Sequence, residues 1–295
     1  CNTTWGSEMR HVVMNLLLIG CATAAMAQAP DAEPGTAPEP AATPAETTAA
    51  PAPTPATPPA RRGQIELTQQ QSRYNASLSS GRATSLRGSW ALSQDTVLNA
   101  ELLAEKKFGA NGGAAVVGAT HNLNEDWFAS ASFTRGWGGP NWARNRLDAS
   151  VSRKWGANRQ LVTTLGGYRA NFDAGRSDRG LRVSANYYLN HFVVLEGGAT
   201  FNTSHPGKVR SQMPYLAVTL GKEGLQYLSL RVSSGSEAYQ SVGAGAQLVD
   251  FDSQTFALDW RYWMAPDWGV TVHAERYLNP SYHRTTVGGG LFLQM

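Results

Sequence analysis

The chain has only two cysteines, Cys1 and Cys21, and none in the 274 residues that follow. Disulfide staples and thiolate metal sites are therefore excluded from the body of the protein. Charge is scarce as well, at 16% of residues, against about 25% in ordinary soluble domains. No apolar run reaches the roughly 20 residues that a membrane-spanning helix requires, and no sustained helical period follows residue 63. Proline is thin beyond residue 60, since ten of the 15 prolines fall between residues 28 and 60. A disulfide scaffold and a helical membrane protein are both ruled out.

What is present divides the chain into three parts. Residues 1–27 read as a signal region with its start at Met9. Arg10 and His11 form a basic beginning, Val12 to Ile19 is mostly apolar, and Ala25-Met26-Ala27 is a small-residue cleavage site. Lipidation at Cys21 is the alternative processing, since Leu18-Ile19-Gly20-Cys21 fits a lipobox, but it leaves a very short apolar region after Met9. Residues 28–60 are Pro, Ala and Thr with four acids and no aromatic residue, a composition that cannot bury enough apolar surface to order itself. A disordered periplasmic spacer is expected there. Residues 61–295 carry the fold. Setting aside Arg10 and the upstream acids Glu8, Asp31, Glu33, Glu39 and Glu46 leaves 24 basic residues against 17 acidic ones, an excess of seven positive charges. Such an excess favours anionic partners, among them lipopolysaccharide phosphates and acidic polysaccharide.

From residue 64 the apolar residues alternate with polar ones in segments of about ten, separated by turn signals. Leu181, Val183, Ala185, Tyr187 and Leu189 oppose Arg182, Ser184, Asn186, Tyr188 and Asn190. One face suits lipid and the other water. The same division recurs at Phe256, Leu258, Trp260 and Tyr262 against Thr255, Asp259 and Arg261, and at Val287, Leu291 and Leu293 against Thr286, Phe292 and Gln294. Strands are expected at 64–79, 82–93, 95–108, 113–123, 127–137, 146–155, 159–172, 179–191, 192–203, 211–222, 224–236, 250–263, 267–278 and 283–294. The fold class is therefore all-β: a transmembrane, antiparallel, up-and-down barrel of about 14 strands, with 12 to 16 as the range. The even count matches bacterial single-chain barrels.

Turn lengths give the barrel its sides. Short turns at Gln94, Gly156–Asn158, Lys222–Gly224 and Ala265-Pro266 are assigned to the periplasm. Longer connections at 138–145, 173–178, 204–210 and 237–249 are assigned to the outside. Segment 237–249 is read as an outer loop, able to fold inward, although its alternation resembles another strand. Trp90, Trp127, Trp155, Trp263 and Trp268 fall near the periplasmic turns, as an aromatic girdle would, and Trp137 and Trp142 flank an outer loop. Pro140, Pro206, Pro214, Pro266 and Pro280 are placed in turns or at strand starts. Gly290, Leu293 and Met295 of the final strand resemble the pattern that the barrel assembly machinery reads, with Met295 where Phe is more usual.

Glu105-Lys106-Lys107-Phe108-Gly109, Glu125-Asp126-Trp127, and Arg261-Tyr262-Trp263 with Asp267-Trp268-Gly269 resemble motifs of the YaiO family of outer-membrane barrels, over about residues 64–295. Lys107 departs from the family's more usual Arg. The resemblance implies an outer-membrane location in a Gram-negative bacterium and an association with envelope-glycan or exopolysaccharide systems.

The candidate site residues are the ionisable groups whose position in the alternation points inward: Glu101, Glu105, Lys107, Arg182, Glu196, Arg231, Asp259, Arg261, His273 and Glu275. Both signs are present, so a polar lumen without strong selectivity is expected. His273 and Glu275 with Asp259 and Arg261 could orient a general base, yet lumenal charges pair for structural reasons far more often than for catalysis. No catalytic residue, metal site or cofactor is expected. The partners expected are outer-membrane lipid and lipopolysaccharide, the assembly machinery and an anionic polysaccharide, with no nucleic acid. The function expected is an accessory or passage in envelope polysaccharide transport. A porin-like diffusion channel is the alternative, and a lipid-modifying hydrolase using His273 or His205 comes third.

Overall fold

A strand with one lipid-wetted and one water-wetted face survives in a bilayer only if every backbone group is paired, which obliges the sheet to close on itself. The computed structural model describes residues 62–75, 77–242 and 246–295. The expected signal region and spacer lie outside these residues. The strands are β1 (Gly63–Tyr74), β2 (Gly81–Ala91), β3 (Thr96–Lys107), β4 (Ala110–Asn122), β5 (Trp127–Trp137), β6 (Asn145–Trp155) and β7 (Leu161–Asn171). They continue as β8 (Ser177–Asn190), β9 (Val193–His205), β10 (Val209–Lys222), β11 (Gln226–Val242), β12 (Ala246–Ala265), β13 (Trp268–Leu278) and β14 (His283–Gln294). All 14 form one closed antiparallel barrel in which sequence neighbours pair, and β1 pairs with β14 from Gln64↔Gln294 to Tyr74↔Arg284.

The period-two pattern sorts side chains as the sequence indicates. Leu102, Leu147, Leu181, Leu216, Phe256 and Leu291 stand on the outer face, with Leu216 at 66% exposure, while Phe292 points inward at 2%. Trp90, Trp127, Trp155 and Trp268 are exposed beside the short turns, at the end that also holds Gly63 and Gln294. That end is assigned to the periplasm. Two of its turns are tied by side chains. Ser93 Oγ accepts from the Asp95 and Thr96 amides, and Asn124 Oδ1 accepts from those of Asp126 and Trp127.

Four expectations need correction. Trp263 is not in the girdle: it shares the inward phase of Asp259 and Arg261, is 7% exposed, and donates from Nε1 to Gln294 Oε1 at 3.1 Å. Segment 237–249 is not a loop folded inward. Its described residues lengthen β11 and β12, which stay paired through Gln240↔Leu248 to Val242↔Ala246. The alternation shifts phase there, at Ala238 and Asp250, the latter at φ 50°. As a result Glu237 and then Gln240 both face inward, where Tyr277 and Tyr282 reach them.

The outer connections are also less uniform than expected. Phe108-Gly109 and Pro206–Lys208 are as tight as the periplasmic turns. Both Phe108 and Gly109 have positive φ, as a two-residue hairpin whose twist matches its strands requires. The last correction is Pro214, which lies inside β10 rather than in a turn. It has no amide to donate, and the β10–β11 ladder stops at the next pair, Tyr215↔Ser233.

Candidate functional site

Every second side chain of a barrel strand enters the lumen, and a charge placed there needs a partner because it has left bulk water. The structure supplies partners from neighbouring strands. Glu101 accepts from Arg87 Nε at 3.1 Å and from Ser85 Oγ at 2.7 Å. Asp148 is held from two sides: Arg146 donates at 2.7 and 2.8 Å, and Arg182 Nη2 donates at 2.9 Å. Glu196 accepts from Tyr215 Oη at 2.6 Å and lies 3.9 Å from Arg231, whose guanidinium stacks 3.8 Å from the Tyr215 ring centroid. Asp259 is 2.8 Å from His273 Nδ1, and Glu275 accepts from Arg284 at 2.6 Å.

These groups surround a mid-barrel cavity of about 790 Å³. Of the ten residues singled out in the sequence, Glu101, Glu105, Arg182, Glu196, Arg231, Asp259, His273 and Glu275 line it. Between the ion pairs the wall is rich in hydroxyls and amides, including Ser72, Ser130, Ser150, Thr164, Asn186 and Thr255. Several bond one another across strands, as Ser130 does with Ser150 at 2.7 Å. The lining can exchange hydrogen bonds with a polyhydroxylated chain.

The other two candidates sit elsewhere. The Lys107 ammonium lies 5.5 Å from the Phe108 ring centroid in the outer mouth. There Phe108, Tyr277 and Tyr282 are buried together, with Tyr74, Leu78, Val242 and Leu248 packed around them. Ring centroids lie 5.0 Å apart for Tyr74 and Phe108 and 5.6 Å for Phe108 and Tyr282. Tyr282 donates to Gln240 at 2.7 Å, and burial pushes its phenol well above the ordinary range, so it remains a neutral donor. Trp142, from the outer connection between β5 and β6, is 6% exposed and donates to Glu105 at 3.0 Å. Aromatic rings from β1, β13 and three outer connections therefore narrow the outer end.

Arg261 lies towards the opposite end, with its guanidinium 3.6 Å from the Phe292 ring centroid and 2.9 Å from Glu66. Tyr227, Trp263 and Phe292 make a buried cluster around it. Phe128 and Val162, with Tyr188 against them, form a second apolar cluster inside the barrel.

The sequence reading did not single out Glu66, Arg87, Arg146 or Arg284, although each occupies the inward phase of its strand; the alternation puts Asp148 on the water-facing side against Leu147, but it was not counted among the site residues. Counting back from an outward neighbour, as from Leu147 to Arg146, would have found the others. The histidines are spread out. His273 is in the cavity wall, whereas His205 ends β9 at the outer rim in register with Ser177. Among the described residues no group of three or more His, Cys, Asp or Glu side chains could hold a metal ion.

Comparison with known proteins agrees with this architecture. Residues 62–240 match the family model described as the YaiO membrane beta barrel domain. No curated protein matches the sequence. Among solved structures, the barrel is similar to a bacterial polysaccharide outer membrane secretin at 8% identity and a TM-score of 0.52, over 80% of this chain and 99% of the other. It is also similar to the CymD monoaromatic hydrocarbon channel at 6% identity and a TM-score of 0.56, over 80% and 89% of the two chains. At these identities the likeness is one of fold.

Proposed function

The chain belongs to the YaiO membrane β-barrel family, and on that premise we propose that this outer-membrane barrel is a non-catalytic accessory or passage in envelope or exopolysaccharide transport. The observation that carries the reading is the cavity wall, where hydroxyls and amides alternate with guanidinium–carboxylate pairs. A sugar chain is recognised by donors and acceptors of both kinds rather than by one sign of charge. The narrowed outer mouth argues for docking or gated passage ahead of free diffusion. His273 and Asp259 act here as a structural pair within the ionic belt.

A diffusion channel is the second reading, favoured by the size of the cavity. The two differ in what Arg182 and Arg231 do. Each lies beside a carboxylate, so exchange for Glu would bring like charges together and disturb folding. Exchange for Gln keeps a donor without the charge. In the native host, Arg182→Gln with Arg231→Gln is expected to reduce surface or secreted polysaccharide several-fold while heat-modifiable gel migration stays that of a folded barrel. Unchanged polysaccharide with altered ion selectivity in bilayers would instead make the protein a channel.

A further inference from the structure

The positive excess of the barrel is not in its lumen, where Arg87, Arg146, Arg182, Arg261 and Arg284 each bond a carboxylate. Much of it faces outward near the outer rim. Arg169 on β7, Arg179 on β8 and Arg210 on β10 occupy the outward phase and are exposed. They also share one row, because Arg169 is the register partner of Arg179, Arg179 of Thr203, and Thr203 of Arg210. At the usual spacing between strands, the row spans roughly 14 Å. Like charges set directly opposite repel one another. Among the described residues no acidic side chain forms an ion pair with any of these arginines. Among the described residues the row therefore has no counter-charge.

Two residues closer to the membrane centre, Leu181 and Phe201 are register partners, 49% and 45% exposed. Beside them the main-chain ladder is interrupted while the strands stay close. Pro214 cannot continue the ladder, β10–β11 pairing ends at Tyr215↔Ser233, and the Gln212 amide donates to Ser236 Oγ at 3.1 Å instead. Across the outer face here runs a groove of about 600 Å³, lined by Arg179, Arg210, Gln212 and Ser236 and continuing onto Leu181 and Phe201, with Arg169 beside it as the register partner of Arg179.

We propose that this groove seats one phosphorylated glycolipid of the outer leaflet, with its sugar phosphates on the arginine row and an acyl chain along Leu181 and Phe201. The charges are complementary, guanidinium forks match phosphate geometry, and the apolar residues lie on the side from which acyl chains approach. The site stands on the outer-membrane location and is independent of any role in polysaccharide transport.

Native mass spectrometry of the purified full chain tests it, with bis-phosphorylated lipid A and its dephosphorylated form as probes. The wild type is expected to retain one phosphorylated molecule and little of the dephosphorylated one. Retention should fall about tenfold or more in Arg169→Gln/Arg179→Gln/Arg210→Gln, as the loss of three cations beside phosphate implies. The control Arg73→Gln/Arg135→Gln/Arg276→Gln removes as many outward arginines from other strands and should retain the lipid. Arg179→Gln alone should lose several-fold, which keeps the site testable if the triple variant folds poorly. Equal retention by wild type and groove variants, equal loss in the control, or equal retention of the dephosphorylated probe would overturn the site.

Discussion

Glu66→Ala should lower the stability of the folded barrel by roughly 3–5 kcal/mol, the cost of stranding one member of a buried ion pair. Glu66 on β1 accepts from Arg261 Nη1 on β12 at 2.9 Å, with the two side chains 13% and 14% exposed. Arg261 has little else to turn to, since its Nε and Nη2 are buried and make no hydrogen bond. The pair also spans the closure, because β14 and β13 lie between β1 and β12. The measurement is the urea midpoint of refolded barrel in lipid vesicles. A double change to apolar residues of similar size, Glu66→Leu with Arg261→Met, should recover most of the loss, because it removes both charges. If Glu66→Ala unfolds at the wild-type midpoint, the pair contributes nothing to closure.

A second large effect is expected at the outer mouth. Tyr74, Phe108 and Tyr282 pack ring against ring, and Tyr277 adds a fourth ring 5.6 Å from Tyr282. Replacing Tyr74, Phe108 and Tyr282 by Ala removes three rings from the narrowed end and leaves the strands and the mid-barrel ionic belt intact. Single-channel conductance should rise from brief or small events to steady openings. The rings sit on one side of the lumen wall near β1, β3 and the β13–β14 connection, so Trp142→Ala, acting from the β5–β6 connection, should add to the rise. If the triple variant conducts no more than the wild type, the narrowing lies elsewhere.

How much of this was legible in the sequence depended on whether the signal was local. Alternation is local, and it gave the faces of β14 correctly, with Leu291 and Leu293 outside and Phe292 and Gln294 inside. Trp263 was misplaced because closeness to a turn was weighed above its phase, although Asp259 and Arg261 already fixed that phase as inward. Segment 237–249 misled for a different reason: the phase shift at Ala238 and Asp250 breaks the periodicity while the pairing continues. Pairing across the closure was out of reach, since Glu66 and Arg261 are 195 residues apart in sequence and meet only once β1 has found β14. The net positive charge was visible, but not its location. Only the register shows Arg169, Arg179 and Arg210 in one outward row and the lumenal arginines beside carboxylates.

The proposed role in polysaccharide transport requires a polar lumen that is narrowed at its outer mouth and closed to free diffusion. Planar-bilayer recording of the purified wild-type protein tests this most directly. No large steady conductance is expected, only small or intermittent events. A large, steady and weakly selective conductance would contradict it.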